Sequence, residues 1–289
     1  MASVQVLRQR IRSVKNTKQI TKAMQLVAAS KMRRAQETTK ASAPYSSSAR
    51  ELLASIGRHQ SAKHHPLFMK RTIKNRLIIV IASDKGLAGA YNANIMKLYA
   101  EQLIDDRRNG IDTQTITIGR KAAQFAARLK DSRVVGAYEE LPDNADSPMF
   151  KAILNSAVDK FVSREVDAVD VIFTEFISMA KQQVDVVRVL PAGLKFTDKT
   201  DDMDEADYEP SAQELLDAIA YRLVEARIFQ TLLESRASEH SMRMVAMKNA
   251  TDNAADLISD LTLVMNKSRQ GAITQELAEI SGGVEAINL

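Results

Sequence analysis

Residues Leu233 to Ala272 read LESRASEHSMRMVAMKNATDNAADLISDLTLVMNKSRQGA. In that stretch Leu233, Ala237, His240, Met244, Met247, Thr251, Ala254, Ile258, Leu261, Met265, Ser268 and Ala272 alternate steps of four and three. An α-helix turns once in about 3.6 residues, so this spacing gathers the twelve side chains into one stripe, a coiled-coil seam. No Gly or Pro interrupts the chain between Pro210 and Gly271. Ser211-Ala212-Gln213-Glu214 has the spacing of a capping box, which satisfies free N–H groups at a helix start. A helix from Ser211 to about Ile280 spans on the order of 100 Å, several times the diameter of a small domain, and must find partners outside a compact core. The small seam residues Ala237, Thr251, Ala254, Ser268 and Ala272 predict close approach and a thin shaft. His240, polar on this seam, reads as a register-fixing residue.

The other end of the chain offers a partner. Arg8, Arg10, Arg12, Lys15, Lys18, Lys22, Lys31, Arg33 and Arg34 precede the first acidic residue, Glu37. Val4, Leu7, Ile11 and Val14 follow helical spacing, and Ile20, Met24 and Val27 resume it after a slip, which predicts a helix from about Val4 to beyond Lys40 with a candidate kink at Pro44. From Ser211 onward Asp and Glu outnumber Lys and Arg. A basic first helix and a net acidic last helix are expected to wind together, with a positive excess left for a further acidic surface.

Between them the period changes. Leu77 to Ile81, Thr113 to Ile118 and Val169 to Phe176 are short β-branched runs, separated by helical stretches around Ala93 to Arg107, Lys121 to Leu129 and Phe150 to Val162. This alternation predicts an α/β domain with parallel pairing. Val184 to Leu190 follows too closely for a crossover and is expected antiparallel at an edge. Asp198 to Asp207, rich in acids, reads as a solvated loop, and Lys63-His64-His65-Pro66 as another.

Composition narrows the function classes. The 289 residues are 45% hydrophobic and 26% charged, with 10 Gly, 6 Pro and 12 Met, which excludes disorder and fits long helices with an adaptable interior. With no Cys, disulfides, thiolate chemistry and Cys-based metal sites are excluded. Leu77 to Ala82 is the longest plainly apolar run, far short of the roughly 20 residues of a membrane span, and no apolar segment before Arg8 has signal-peptide length. The chain is therefore expected to act in the compartment where it is made.

Several motifs admit a chemical and a plain reading. Ser83-Asp84-Lys85-Gly86-Leu87-Ala88-Gly89-Ala90-Tyr91-Asn92 lies between a strand and a helix, where Gly-rich loops hold phosphates, yet it matches neither common nucleotide-binding pattern and its glycines also suit a tight turn. His64-His65 lacks further ligands at metal spacing. Glu239 and His240, as helix neighbours, do not face each other, and no catalytic constellation can be assembled. The basic stripe could line a nucleic-acid groove or simply face water, but it lacks interleaved aromatics and carries an apolar face that needs a protein.

Two segments carry a resemblance. Ile11 to Met24 (IRSVKNTKQITKAM), continuing through Val27-Ala28-Ala29-Ser30-Lys31-Met32, closely resembles the N-terminal signature of gamma subunits of F-type ATP synthases. So do Ala237 to His240, Arg243 to Asn253, Asn266-Lys267, Arg269-Gln270 and Ile273 to Leu277. The loop from Ser83 to Asn92 is similar to the family's turn after its first strand, with Ala88 and Ala90 where many members carry Cys and Gly.

The resemblance implies an α/β fold with a long antiparallel coiled coil: segments 1–60 and 211–289 as a rod and a Rossmann-like domain over 73–200 at its foot. It implies a noncatalytic central stalk of a proton-translocating ATP synthase, turning with a membrane c-ring inside a hexamer of alpha and beta subunits and bound by the epsilon subunit. No cofactor, metal, nucleic acid or small-molecule substrate of its own is implied. Arg269, Gln270, Thr274 and Glu276 resemble positions that hydrogen-bond a loop of the catalytic subunit, Met24 and Arg243 resemble positions that govern coupling, and Lys31, Arg33 and Arg34 could meet an acidic segment of beta. Leu277 to Leu289 would run in an apolar sleeve, and Tyr208 would lie near the foot. The lack of Cys speaks against the redox-regulated chloroplast type, and a bacterial complex at the cytoplasmic face of the cell membrane is implied. The alternative from another class is a nucleotide-binding α/β enzyme or sensor with a coiled-coil arm.

Overall fold

The computed structural model describes residues 4–56, 65–129, 132–140, 147–192 and 212–287. Two long helices bracket the chain. The first, α1 (Val4–Ile56), has 53 residues and continues through Pro44, and the last helix has 76 residues, Ala212–Ile287, about 110 Å at the usual rise. Between them lie β1 (Asn75–Ile81), α2 (Tyr91–Arg108), β2 (Asp112–Ile118), α3 (Arg120–Ala126), β3 (Arg133–Tyr138), α4 (Pro148–Val162), β4 (Ala168–Phe176) and β5 (Gln182–Leu190), so the last helix is α5. Ser211, His64, Tyr208 and the acidic segment from Asp198 to Asp207 lie outside the described residues. The chain forms two compact units, one of residues 1–28 with 243–289 and one of residues 29–242, and both long helices contribute to each.

In the first unit a seam joins the helices. On α1 the shielded positions are Val4, Leu7, Ile11, Val14, Lys18, Thr21, Gln25 and Ala28, an unbroken alternation of three and four. The expected slip is absent: Ile20 and Val27 are 59% and 57% exposed, and Met24 is half-buried on the seam's flank. Helical phase carries the seam through Lys18, whose methylene stem can cover apolar surface while its ammonium stays wet, and through Thr21 and Gln25. On α5 the seam runs through Met247, Thr251, Ala254, Ile258, Leu261, Met265 and Ser268 as the spacing predicts, but Ala272 is exposed. Thr251 Oγ1 donates to Thr21 Oγ1 at 2.8 Å. Seventeen residues separate Thr21 from Val4 and Thr251 from Ser268, so antiparallel helices bring the start of α1 beside Ser268. Beyond it no helix among the described residues opposes Ala272, and every residue from Arg269 to Ser281 is exposed.

Among the described residues the exposed bases of α1 do not pair across this seam. Arg8, Arg10, Arg12, Lys15 and Lys22 face solvent, as do Asp252, Asp256 and Asp260, and among the described residues none of these bases reaches a carboxylate of α5. Small and apolar contacts plus the threonine bond hold the helices, because exposed ion pairs gain little against solvent and side-chain entropy.

The second unit is built on a five-stranded sheet of order β3-β2-β1-β4-β5, parallel except for β5, which pairs antiparallel with β4 at the edge as its short connection requires. Successive β1 side chains alternate faces. Leu77, Ile79 and Ile81 join Phe150, Ile153, Leu154 and Phe161 of α4 and Ala220, Val224, Ile228 and Leu232 of α5, whereas Ile78 and Val80 join Tyr91, Ile95 and Tyr99 of α2 and Ala122 of α3. The strand β3 was not expected. Its residues RVVGAY are short, half-exposed and interrupted by Gly136, which weakens any sequence signal for an edge strand.

A buried charge network sits on the α2 side of the sheet. Asp170 of β4, 2% exposed, accepts two bonds from the Arg188 guanidinium at 2.8 Å each. Asp106 of α2 accepts from Arg76, Gln102 and Thr113 at 2.8 to 3.0 Å. Arg76 Nε lies 3.4 Å from Asp170 Oδ2, within ion-pair range but without the alignment of a hydrogen bond. The carboxylate of Asp170 holds the Arg188 guanidinium above its ordinary pKa, while partial burial opposes the shift.

Candidate functional site

In an open α/β sheet, ligands enter the crevice at the carboxyl ends of the strands where strand order reverses, here between β1 and β4. At that crevice the protein places its own last helix. The α5 helix leaves one core at Leu232 and reaches the other at Met242, and between them it bonds to the carboxyl end of β4 and to the start of α2. Ser235 Oγ lies 2.7 Å from the Tyr91 hydroxyl and accepts from Thr174 N at 3.4 Å, and Ser238 Oγ donates to Thr174 O at 3.1 Å.

The loop from Ser83 to Asn92 spends its polar groups on itself and its neighbours. Ser83 Oγ donates to Lys85 O at 2.7 Å, Asn92 Oδ1 accepts from Ser83 N at 3.1 Å, and Asp84 Oδ1 accepts from Arg120 N at 3.0 Å. A carboxylate there opposes a phosphate rather than inviting one. Leu87 and Gly89 both take positive φ, 63° and 58°, so the glycine serves the tight turn. Arg236 of α5 is half-buried here; burial pushes its guanidinium pKa down, against the field of Glu239 and Asp84. His65 is likewise structural: its Nδ1 accepts from Leu67 N at 3.2 Å and its ring lies 5.3 Å from that of Phe68.

The residues singled out by resemblance fall in three places. Arg269, Gln270, Thr274 and Glu276 share the exposed part of α5 past its seam, and Thr274 Oγ1 donates back to Gln270 O at 2.9 Å. Met24 and Arg243 are half-buried in the first unit, on α1 and α5. Lys31, Arg33 and Arg34 are exposed on α1 in the stretch that belongs to the second unit. Apolar side chains face solvent on both helices, each at least 57% exposed: Leu277 and Ile280 lie in the tail expected to run in an apolar sleeve, whereas sequence reasoning missed Ile20, Leu26 and Val27 on α1 and Leu263 on α5. Carrying the three-four phase of Val4 to Val14 straight through Lys18 would have found those on α1. Among the described residues, no helix is long and apolar enough to cross a membrane.

Comparison with known proteins agrees with this geometry. A family model described as ATP synthase matches residues 3–287. The ATP synthase gamma chain of Ralstonia nicotianae is 40% identical over 292 aligned positions, covering 99% of this chain and all of the relative, and that of Macrococcus caseolyticus is 39% identical with the same coverage. The fold resembles a chain in the central stalk and c-ring of the Tetrahymena thermophila mitochondrial ATP synthase, at 22% identity and TM-score 0.62 over 80% of this chain and 99% of that one. It also resembles a chain in the Euglena gracilis mitochondrial ATP synthase, at 18% identity and TM-score 0.67 over 98% of this chain and 94% of that one. With its long terminal helices and full-length likeness, the chain belongs to the family of ATP synthase gamma chains.

Proposed function

We propose that this chain couples rotation of a membrane c-ring, driven by proton flow, to ATP synthesis or hydrolysis on the beta subunits of a surrounding alpha-beta hexamer. Segments 1–60 and 211–289 serve as the shaft, and the domain over 73–200 meets the c-ring and the epsilon subunit. The complex stands at the cytoplasmic face of a bacterial cell membrane, with this subunit peripheral. Because α5 is exposed past Ser268 with no described residue against it, the shaft is asymmetric, and each angle presses differently on its surroundings. That bare continuation of α5 is the observation that carries the reading, since an exposed helix with Ile273, Leu277 and Ile280 on it calls for an enclosing protein. Arg269, Gln270, Thr274 and Glu276 hydrogen-bond a loop of the catalytic subunit, and Lys31, Arg33 and Arg34 meet an acidic segment of beta.

Met24 and Arg243 set the coupling. Met24→Lys puts an ammonium on the flank of the seam and creates an ion pair with the ring worth about 1–3 kcal/mol where partly desolvated, which favours some rotary angles over others. Hydrolysis, carried out on other chains, continues while proton pumping falls. ATPase rate and pumping measured on the same membrane vesicles test this: equal fractional loss of both means general damage and removes the coupling role of Met24. Tagged chain recovered from membranes should bring down alpha, beta, epsilon and c subunits, and recovery without them rejects the assignment.

A further inference from the structure

The contact between α5 and the α/β unit contains a row of directed bonds that burial of apolar surface alone does not require. Ser235, Ser238 and Ser241, three residues apart, are each fully buried. Ser235 meets the Tyr91 hydroxyl at the start of α2 and Thr174 N at the end of β4, and Ser238 donates to Thr174 O. Ser241 Oγ donates to Met179 O in the β4–β5 turn at 3.1 Å and accepts from Gln182 Nε2 of β5 at 3.2 Å. Three hydroxyls on one helix thus engage four separate places: a helix start, a strand end, a turn and the next strand.

Apolar contacts are nondirectional and tolerate sliding, as do the neighbouring contacts of Leu232, Leu233 and Ala237. Buried hydroxyls do not. Advancing α5 by one residue rotates each hydroxyl by about 100°, which would pull Ser235 and Ser238 from their buried partners, Tyr91 and Thr174, and Ser241 from the half-buried Gln182 and the turn at Met179. We propose that Ser235, Ser238 and Ser241 are positioning residues that key α5 to the α/β unit against rotation and sliding, so that torque passes between them through directed hydrogen bonds; this rests on the central-stalk reading. The same helix continues without a break into the first unit beyond Arg243.

The test uses the assembled complex with its catalytic hexamer fixed to a surface and a bead attached at Asn109→Cys, an exposed position in a chain that has no cysteine of its own, with accessible cysteines elsewhere in the complex removed. The angular variance of the bead is recorded while the motor is stalled. The triple variant S235A/S238A/S241A should at least double that variance, while complexes that assemble keep hydrolysing ATP. Ser241→Ala alone should widen it by less, and the Tyr91→Phe/Ser235→Ala pair, which removes both buried partners together, keeps the question answerable if the triple variant does not assemble. A merely structural row would lower the melting temperature of the complex without changing the variance per assembled complex. Unchanged variance in an assembled, hydrolysing triple variant overturns the proposal, as does unchanged variance in both smaller variants where the triple variant fails to assemble. If the unaltered chain neither assembles with a catalytic hexamer nor rotates, the central-stalk reading fails instead.

Discussion

Gly119 illustrates how much one backbone position can demand. It caps α3 with φ 94°, donates to Tyr138 O at 2.7 Å, and a Cβ built on it would lie 2.1 Å from Ala82 O. Neither the dihedral nor the approach admits a side chain, so Gly119→Ala should cost at least about 3 kcal/mol, read as a shift in the urea midpoint by pulse proteolysis. A shift below about 1 kcal/mol would mean that β1 and β2 yield where the structure has them rigid. Asp170 makes a second demand. Asp170→Ala leaves Arg76 buried beside a lost anion and Arg188 without its two bonds, and should cost about 3–5 kcal/mol, whereas Arg188→Ala, whose side chain is 40% exposed, should cost less. The reverse order would place the main cost on the exposed partner. Neither demand was legible in the sequence. Gly119 stands between a strand and a helix like any turn residue, and the partners of Asp170 lie in strands and a helix that only the sheet order brings together. His65, by contrast, was read correctly as a loop residue.

Elements were legible where a pattern repeats and hidden where other forces set the outcome. The five strands but one, and the antiparallel edge, followed from β-branched runs and connection length; β3 escaped because its six residues lie half in solvent at a sheet edge. On α1 apolar identity misled. Ile20 and Val27 drew the expected face away from Lys18, Thr21 and Gln25, although uninterrupted helical phase keeps the seam on the latter. The correction has a measurable consequence. Ile20→Gln and Val27→Gln should leave the denaturation profile of the isolated chain unchanged, since both side chains are already in water, yet reduce the yield of assembled complex. Ala28→Leu, at a position 2% exposed, should shift the denaturation profile of the chain to lower denaturant through overpacking. Denaturation of the chain and gel filtration of the complex separate the two effects, and a Gln variant that unfolds the chain would restore the slipped seam. The family-derived positions at Arg269, Gln270, Thr274 and Glu276 came from resemblance alone, because exposed polar residues on a helix carry no pattern that distinguishes a contact from a wet face.

At the scale of the whole chain, the two units differ in what they can do unaided. The α/β unit has cores on both faces of its sheet, while the two-helix unit has one narrow seam and leaves Leu257, Leu263 and Val264 at least 46% exposed. The isolated chain should therefore lack a single cooperative melting transition and should associate through these side chains; a sharp transition in a monodisperse monomer would show that the seam suffices. The end of α5 sharpens the point. Among the described residues none covers it from Arg269 to Ser281, and lone helices of that length are marginal in water, so under the proposed function its order and the cover of Ile273, Leu277 and Ile280 come from the surrounding hexamer. Burying those three side chains, at about 1–2 kcal/mol each for surface already half out of water, contributes to assembly at every rotary angle. A contact that is the same at all angles stabilises the complex without resisting rotation. Under the proposed function torque is instead carried by parts whose contacts change with angle, which assigns it to the paired helices before Ser268. Deleting Leu277 to Leu289 should accordingly lower the fraction of complex that assembles more than the torque of each complex that does. The two are separated by quantifying intact complex on native gels and measuring rotation on single complexes from the same preparation. Normal assembly with rotation abolished would reverse the roles and make the bare end of α5 the force-bearing part.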